Sequence, residues 1–436
     1  MEVNNYMNLE FKNWSERFKN ELTDLGIFFE DGRMPISPII LKKEKIYEWE
    51  KELPKLLELG RKVTFNNKSQ VRPDHKEIAE LYKNESIPGI MRPDGILVDD
   101  QLKIIEMNIE SAVGGTWEVD FIQYWIQQNP LSQAPSHAEY PSVKDGIKRF
   151  LIEIKRESQT NIKEEEINIA LMGFNDFDQF YKDLTEEMVE WIEEAVGIRA
   201  FFVTPENLRA AADYITDGIR NYHILYRIGT LVHPQEKVKE MIRVIKEAWN
   251  TDTRVYSNPA DLFMDHKGIV AELSEQIENN GRLTSCEIDL INKYIPWTRT
   301  IKKRDVIYKG KQYNLLDLIL SNKNQFVIKR SHSHVGEYVF IGAETKDDRW
   351  EDLVHKIGMD STQWIVQENL ESPFYDFQYY HSTKGIITES KRFTLSPYIF
   401  GSHLGGVLVR IEDDSNKRVL ALPSNSCMSS TGVAIL

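Results

Sequence analysis

Apolar residues recur along this chain at two spacings, and the changes between them divide it. Residues 1–60 are amphipathic at helical spacing, broken at Gly32, Pro35 and Pro38. Leu53, Leu56, Leu57 and Leu59 make the apolar side of a helix predicted to end at Gly60. Ile96 to Val98 and Leu102 to Ile105 read as strands joined by a tight polar turn at Asp99, Asp100 and Gln101. An apolar, aromatic segment follows from Trp117 to Ile126, and residues 136–165 are charged and helical. Buried strands are then predicted at Ile167–Met172, Ile198–Val203 and Asn221–Ile228. Between them lie helical stripes, Leu184, Met188, Ile192 and Val196, then Val238, Met241, Ile242, Ile245 and Trp249. Strands alternating with helices predict a parallel-sheet α/β domain over 166–258. Beyond 259 a helix opens at Lys267, and strands are predicted at 324–330, 336–342, 363–369 and 391–400. Gly405-Gly406 then leads into an apolar run ending at Arg410, and no internal repeat is present.

Composition narrows the class. A chain of 436 residues can bury a large core and should hold two or three domains. Its 41% hydrophobic and 28% charged residues are those of an ordinary globular protein. A net charge of −14 opposes non-specific binding to nucleic acid, but leaves room for a cationic pocket inside an acidic shell. No apolar run has the length of a membrane span, and Met1 to Asn20 has no signal-peptide core. Cys286 and Cys427 make neither a disulfide framework nor a metal spacing. The expectation is a soluble cytoplasmic protein without nucleic-acid or membrane partners.

Candidate chemistry is densest around the first predicted strand pair. Arg92-Pro-Asp94-Gly95 and Glu106-Met-Asn108 flank it, so antiparallel pairing would bring Asp94, Glu106 and Asn108 together. Two carboxylates and an amide oxygen are hard ligands suited to Mg²⁺, and Arg92 on the same face could neutralise a phosphoryl group. The ordinary reading of acidic residues in a hairpin is a solvated face.

A second group lies far along the chain. Lys329 ends an apolar strand and precedes the small, polar run Ser331, His332, Ser333, His334, Val335 and Gly336, a loop that could fold over phosphates. Its ordinary reading is a solvated strand end. His332 and His334 have zinc-like spacing but no third or fourth ligand nearby. Gln367 and Glu368 end another apolar strand, a hinge that could meet adenine and ribose, or an edge strand running out into solvent.

In this order these pieces resemble the circularly permuted ATP-grasp ligases of the glutathionylspermidine synthase type. The likeness covers about residues 85–125 and 255–436. It rests on Arg92-Pro-Asp94 and Glu106-Met-Asn108 preceding the lysines, on Asn258-Pro259 before Lys267, on Val327-Ile-Lys329, on Ile365-Val-Gln367-Glu368, and on the ending from Gly405 to Leu436. The resemblance implies an α/β fold with α+β lobes, a circularly permuted ATP-grasp with an inserted parallel-sheet, pre-ATP-grasp-like domain. The implied division is 1–135 (helical region and metal strands), 136–258 (inserted domain), 259–370 (nucleotide lobe) and 371–436 (C-terminal strands). It implies ATP and Mg²⁺ as cofactors, with Asp94, Glu106 and Asn108 as metal ligands. Lys267, Lys329, Ser331, Gly336, Gln367 and Glu368 would contact nucleotide. Arg92 and Arg410 would stabilise the transferring group, while Glu110 and Ser111 meet the acceptor or form only a turn. The implied reaction joins a small carboxylate to an amine or thiol through an acyl phosphate, releasing ADP and phosphate. Loading of an amino acid onto a carrier protein or peptide, and non-catalytic nucleotide binding, stay open as alternatives. The chain departs from the family in its single loop glycine, Gly336, in an insertion over 280–324, and in having no amidase-like domain with a nucleophilic cysteine. Polyamine chemistry is therefore not implied.

Overall fold

The computed structural model describes residues 2–24, 33–66, 90–109, 116–132, 134–157, 167–174, 189–190, 192–194, 197–228, 235–256, 261, 263–278, 283–332, 338–358, 363–381, 384–412 and 430–436. It is a mixed α/β protein with three four-stranded sheets that matter for function. Among the described residues, no helix is long and apolar enough to cross a membrane.

The first sheet runs His403–Ile411, Phe393–Phe400, Ile90–Val98, Gln101–Asn108, with every neighbour antiparallel. Val98 pairs with Gln101, so the predicted polar turn is two residues long, and Asp99 and Asp100 take φ of 50° and 62°. Positive φ at both central residues matches the right-handed twist of the flanking strands. One face of this sheet is wholly apolar, with Met91, Leu395, Ile399, Val407 and Val409 in the largest core. Two helices cover that face, Lys43–Asn66 and Gly268–Gln276. Lys43–Asn66 runs past the expected stop at Gly60, because Val63 continues its buried stripe. A glycine inside a helix costs only about 1 kcal/mol, less than burying such a stripe gains.

The other face is divided. Its apolar end, with Ile90, Tyr398, Phe400 and Leu408, packs on the helix Val143–Glu157 and on the second sheet. That second sheet is parallel, in the order Arg254–Tyr256, Ile224–Arg227, Asn168–Met172, Arg199–Val203. Three of its strands fall where alternation placed them; Asn168–Met172 and Ile224–Arg227 are buried throughout, as helix-covered parallel strands require, while the edge strand Arg199–Val203 is only partly buried. Gln235–Ala248 covers the far side with Met241, Ile242 and Ile245. Arg254–Tyr256 is too short to leave a sequence pattern, and the aromatic segment after Trp117 is the helix Thr116–Gln127.

The third sheet is antiparallel, in the order Thr298–Thr300, Trp364–Glu368, Phe326–Arg330, Val339–Ile341. Phe326, Ile328 and Val366 enter a separate core with the helices Leu315–Ser321 and Asp347–Ile357. Lys329, Gln367 and Thr298 lie on its opposite face, toward the first sheet. Of the strand predicted over 336–342, residues 336 and 337 lie outside the described residues, Val339–Ile341 pairs, and a tight helical turn follows at Gly342–Glu344.

Candidate functional site

The polar half of the first sheet is built by a bulge. Asp94 pairs with Glu106 but Gly95 pairs with Ile104, so Ile105 is an extra residue on its strand. Gly95 permits this close approach, since a Cβ there would lie 2.6 Å from Leu102 Cδ1. Arg92 sits opposite Asn108, and Asp94 opposite Glu106, which places all four side chains on one face. The bulge also presents the Ile105 carbonyl, which accepts a hydrogen bond from Lys329 Nζ at 3.1 Å. The Arg-Pro-Asp-Gly sequence thus shapes the acidic cluster and a contact to the third sheet.

Asp94 is 8% exposed. Its Oδ1 accepts from Arg410 Nη2 at 2.5 Å and from Ser396 Oγ at 2.8 Å, with Arg92 Nε at 3.8 Å. Burial works against ionisation, but Arg410, Arg92 and Ser396 outweigh it and hold the carboxyl down at about 2. Arg92 in turn donates to Tyr398 Oη at 3.5 Å; burial opposes its charge, yet Tyr398 and Asp94 raise its proton affinity above the ordinary arginine value. Asn108 Nδ2 donates to the Arg92 carbonyl at 3.0 Å, which turns Oδ1 away from that backbone group.

Two lysines reach this cluster from elsewhere. Lys267, at the start of Gly268–Gln276, is 3% exposed and places Nζ 2.9 Å from Glu106 Oε1. Lys329 is buried, donating to Gln367 Oε1 at 2.7 Å and to the Ile105 carbonyl. Gln367 is fixed by donating to Thr298 Oγ1 at 3.2 Å. Burial lowers the Lys329 ammonium to about 8, with Lys267 adding to the fall and Glu106 and Asp94 opposing it. Asp265 Oδ1 accepts from the Ile109 N–H at 3.0 Å, tying the Lys267 helix to the end of the acidic strand.

The structure therefore gathers Arg92, Asp94, Glu106, Asn108, Lys267, Lys329, Gln367 and Arg410. Ser331 is one step removed, against Lys267 and His266. Glu368 stands apart: its Oε1 accepts from Tyr308 Oη at 3.1 Å and pairs with Lys309 at 3.4 Å. Gly336, Glu110, Ser111, His334, Asn258 and Pro259 lie outside the described residues. Sequence reading missed Ser396, Tyr398 and Thr394. Thr394 pairs with Arg410, and its buried Oγ1 has no hydrogen-bond partner among the described residues. Their alternation with buried Leu395 and Ile399 was the available signal.

Among the described residues, no group of three His, Cys, Asp or Glu side chains gathers to hold a metal. The set that fits a hard cation is two carboxylates and an amide, with Lys267 and Arg410 each engaging one oxygen of a carboxylate. Arg410, Lys267 and Lys329 in the same enclosure suit an anionic ligand that brings the cation with it.

No protein-family model matches the chain, and no curated protein matches it in sequence. Among solved structures, a glutathione synthetase-like effector from Globodera pallida in its apo form superposes over 100% of this chain and 97% of its own, with a TM-score of 0.57 at 12% identity. This chain is similar to it in fold. A protein assigned as a gamma-glutamylcysteine synthetase from Methylobacillus flagellatus matches over 87% of each chain with a TM-score of 0.39 at 10% identity. A RimK-domain ATP-grasp protein from Sphaerobacter thermophilus covers 57% of this chain and 92% of its own, with a TM-score of 0.26 at 12% identity. The last two likenesses are too slight to carry an argument. The effector-like fold runs the whole length of the chain, so the acidic sheet, the parallel sheet and the lysine-bearing sheet belong to one architecture.

Proposed function

We propose that the protein is an ATP-dependent ligase that joins a carboxylate to an amine or thiol, built on a circularly permuted ATP-grasp fold. The observation that carries this reading is the meeting of two buried lysines with a paired carboxylate cluster, Lys267 on Glu106 and Lys329 on the carbonyl beside it. The order of the pieces, acidic hairpin before lysines, supports the permutation. The parallel sheet supports an inserted pre-ATP-grasp-like domain over 136–258, followed by a nucleotide lobe over 259–370 and C-terminal strands over 371–436.

On this reading Asp94, Glu106 and Asn108 hold Mg²⁺. When bound, ATP would supply its γ-phosphoryl group to the substrate carboxylate with ADP as the leaving group, and Mg²⁺ would offset the phosphate charge. Lys267 and Lys329 would hold the phosphates of the nucleotide. Arg92 and Arg410, both beside Asp94, would neutralise charge on the transferring group. Gln367 and Thr298 keep Lys329 aimed into the cleft. No side-chain nucleophile is needed, since positioning and electrostatics lower the barrier. Gly336, Glu368, Glu110 and Ser111 complete the nucleotide and acceptor contacts in this proposal.

Incubation with ATP, Mg²⁺ and panels of carboxylates and amines tests it, with products read by mass spectrometry. Ligation with stoichiometric ADP and phosphate is expected. Stoichiometric AMP and pyrophosphate would overturn the assignment.

A further inference from the structure

The helix that carries Lys267 and the strand that carries Lys329 are fastened together by a joint that uses neither ammonium group. The Lys267 backbone N–H donates to the Ser331 carbonyl at 2.9 Å. His266 Nδ1 lies 3.2 Å from Ser331 Oγ. The His332 ring stacks on His266, with centroids 4.9 Å apart and planes 14° from parallel. The Ser331 N–H donates to the Gln363 carbonyl at 2.9 Å, so the N–H, carbonyl and hydroxyl of Ser331 are all engaged in holding this corner.

Gly268 makes the contact possible. A Cβ there would lie 2.4 Å from Ser331 Oγ and 2.6 Å from His266 Nδ1. Its φ is not positive, so glycine is required here for room and not for backbone conformation. Ser331 follows Lys329 by two residues, and His266 and Gly268 flank Lys267. Whatever moves this joint moves the two ammonium groups relative to each other.

We propose that the His266–Gly268–Ser331 joint is a positioning device that sets the separation of Lys267 and Lys329 across the phosphate-binding site. The role rests on the nucleotide reading of the two lysines. His266, which sequence reading did not single out, acts through Ser331 and not on the ligand. An ångström of misplacement in such a site can cost about a hundredfold in rate, which is why a contact with no direct chemistry matters.

The test uses the full chain and three variants: Gly268→Ala, the double variant His266→Ala with Ser331→Ala, and the triple. Two quantities are read: calorimetric affinity for MgATP, and acetylation of Lys267 by an N-hydroxysuccinimide ester, mapped by mass spectrometry. Gly268→Ala should weaken MgATP about tenfold and raise Lys267 labelling several-fold, because the added methyl drives Ser331 and His266 apart and loosens Lys267 from Glu106. The double variant should do the same, and adding Gly268→Ala to it should change neither quantity further. If Gly268→Ala leaves both at wild-type values, or costs as much in the double background as alone, the joint does not position the lysines. If Gly268→Ala fails to fold, the double variant decides on the same two readouts. A wild-type protein that binds no MgATP sinks the nucleotide reading, and labelling then judges the joint by itself.

Discussion

Two buried charges of one cluster, Asp94 and Lys329, are treated in opposite ways. Asp94 is surrounded by its own compensation: Arg410, Arg92 and Ser396 lie on the same sheet, and the carboxyl is held at about 2. Among the described residues Lys329 has only neutral acceptors, an amide oxygen and a backbone carbonyl, and burial draws it down to about 8. An enclosed cation without a contacting carboxylate is costly, and the cost falls when an anion arrives. The charge of Asp94 is compensated within its own sheet, whereas Lys329 has no contacting carboxylate among the described residues. On the proposed reading, phosphate is the anion that would meet Lys329.

Glu106→Gln gives the largest effect expected from breaking this arrangement. Turnover should fall about a hundredfold or more, since a charged metal ligand on the transferring group is lost. Read from the sequence, Asp94 and Glu106 are crowded negative charges, and neutralising Glu106 would leave melting nearly unchanged. The structure intersperses cations, and Glu106 pairs with Lys267, so Glu106→Gln should lower the melting temperature of the ligand-free protein. Normal turnover with normal melting would remove Glu106 from the site.

Lys329→Met comes next. MgATP affinity should weaken about tenfold to a hundredfold, the value of one or two charge-assisted hydrogen bonds. Ligand-free stability should hold or rise, because an enclosed cation is exchanged for an apolar chain of similar length. A large drop in melting temperature would mark Lys329 as a structural residue.

The smallest change sharpens the comparison on the acidic side. Thr394→Val removes a buried hydroxyl that has no partner among the described residues, next to Arg410. It should raise the melting temperature without ligand and lower turnover about threefold to tenfold, if the hydroxyl meets substrate. A lower melting temperature with unchanged turnover would show that the hydroxyl serves the fold alone.

Much of this was legible in the chain. The two-residue step from Glu106 to Asn108, and the apolar strands beside it, placed the acidic residues on one face. Alternating stripes located three strands of the parallel sheet. What stayed hidden depends on non-local pairing. The bulge at Ile105 follows from register, which local spacing does not report. Ser396 and Thr394 look like ordinary strand residues until Phe393–Phe400 pairs beside Ile90–Val98. Gly268 reads as a helix-start glycine until Ser331 is brought against it. Helix Lys43–Asn66 outran Gly60 because a tertiary core, not local propensity, decides where it ends.

The pH dependence of nucleotide binding tests the central claim most directly. Burial lowers Lys329 to about 8 from its usual 10.5. The unfolded chain keeps that proton to a higher pH, so ligand-free stability should rise with pH between those values in the wild type relative to Lys329→Met. Phosphate needs the charged form, so the sign for binding is the reverse. Calorimetry at pH 7 and pH 9, on both proteins with MgATP, measures it. The account predicts tighter wild-type binding at pH 7 than at pH 9, and weak binding by Lys329→Met with that dependence lost. Equal affinities for the two proteins at both pH values would contradict it.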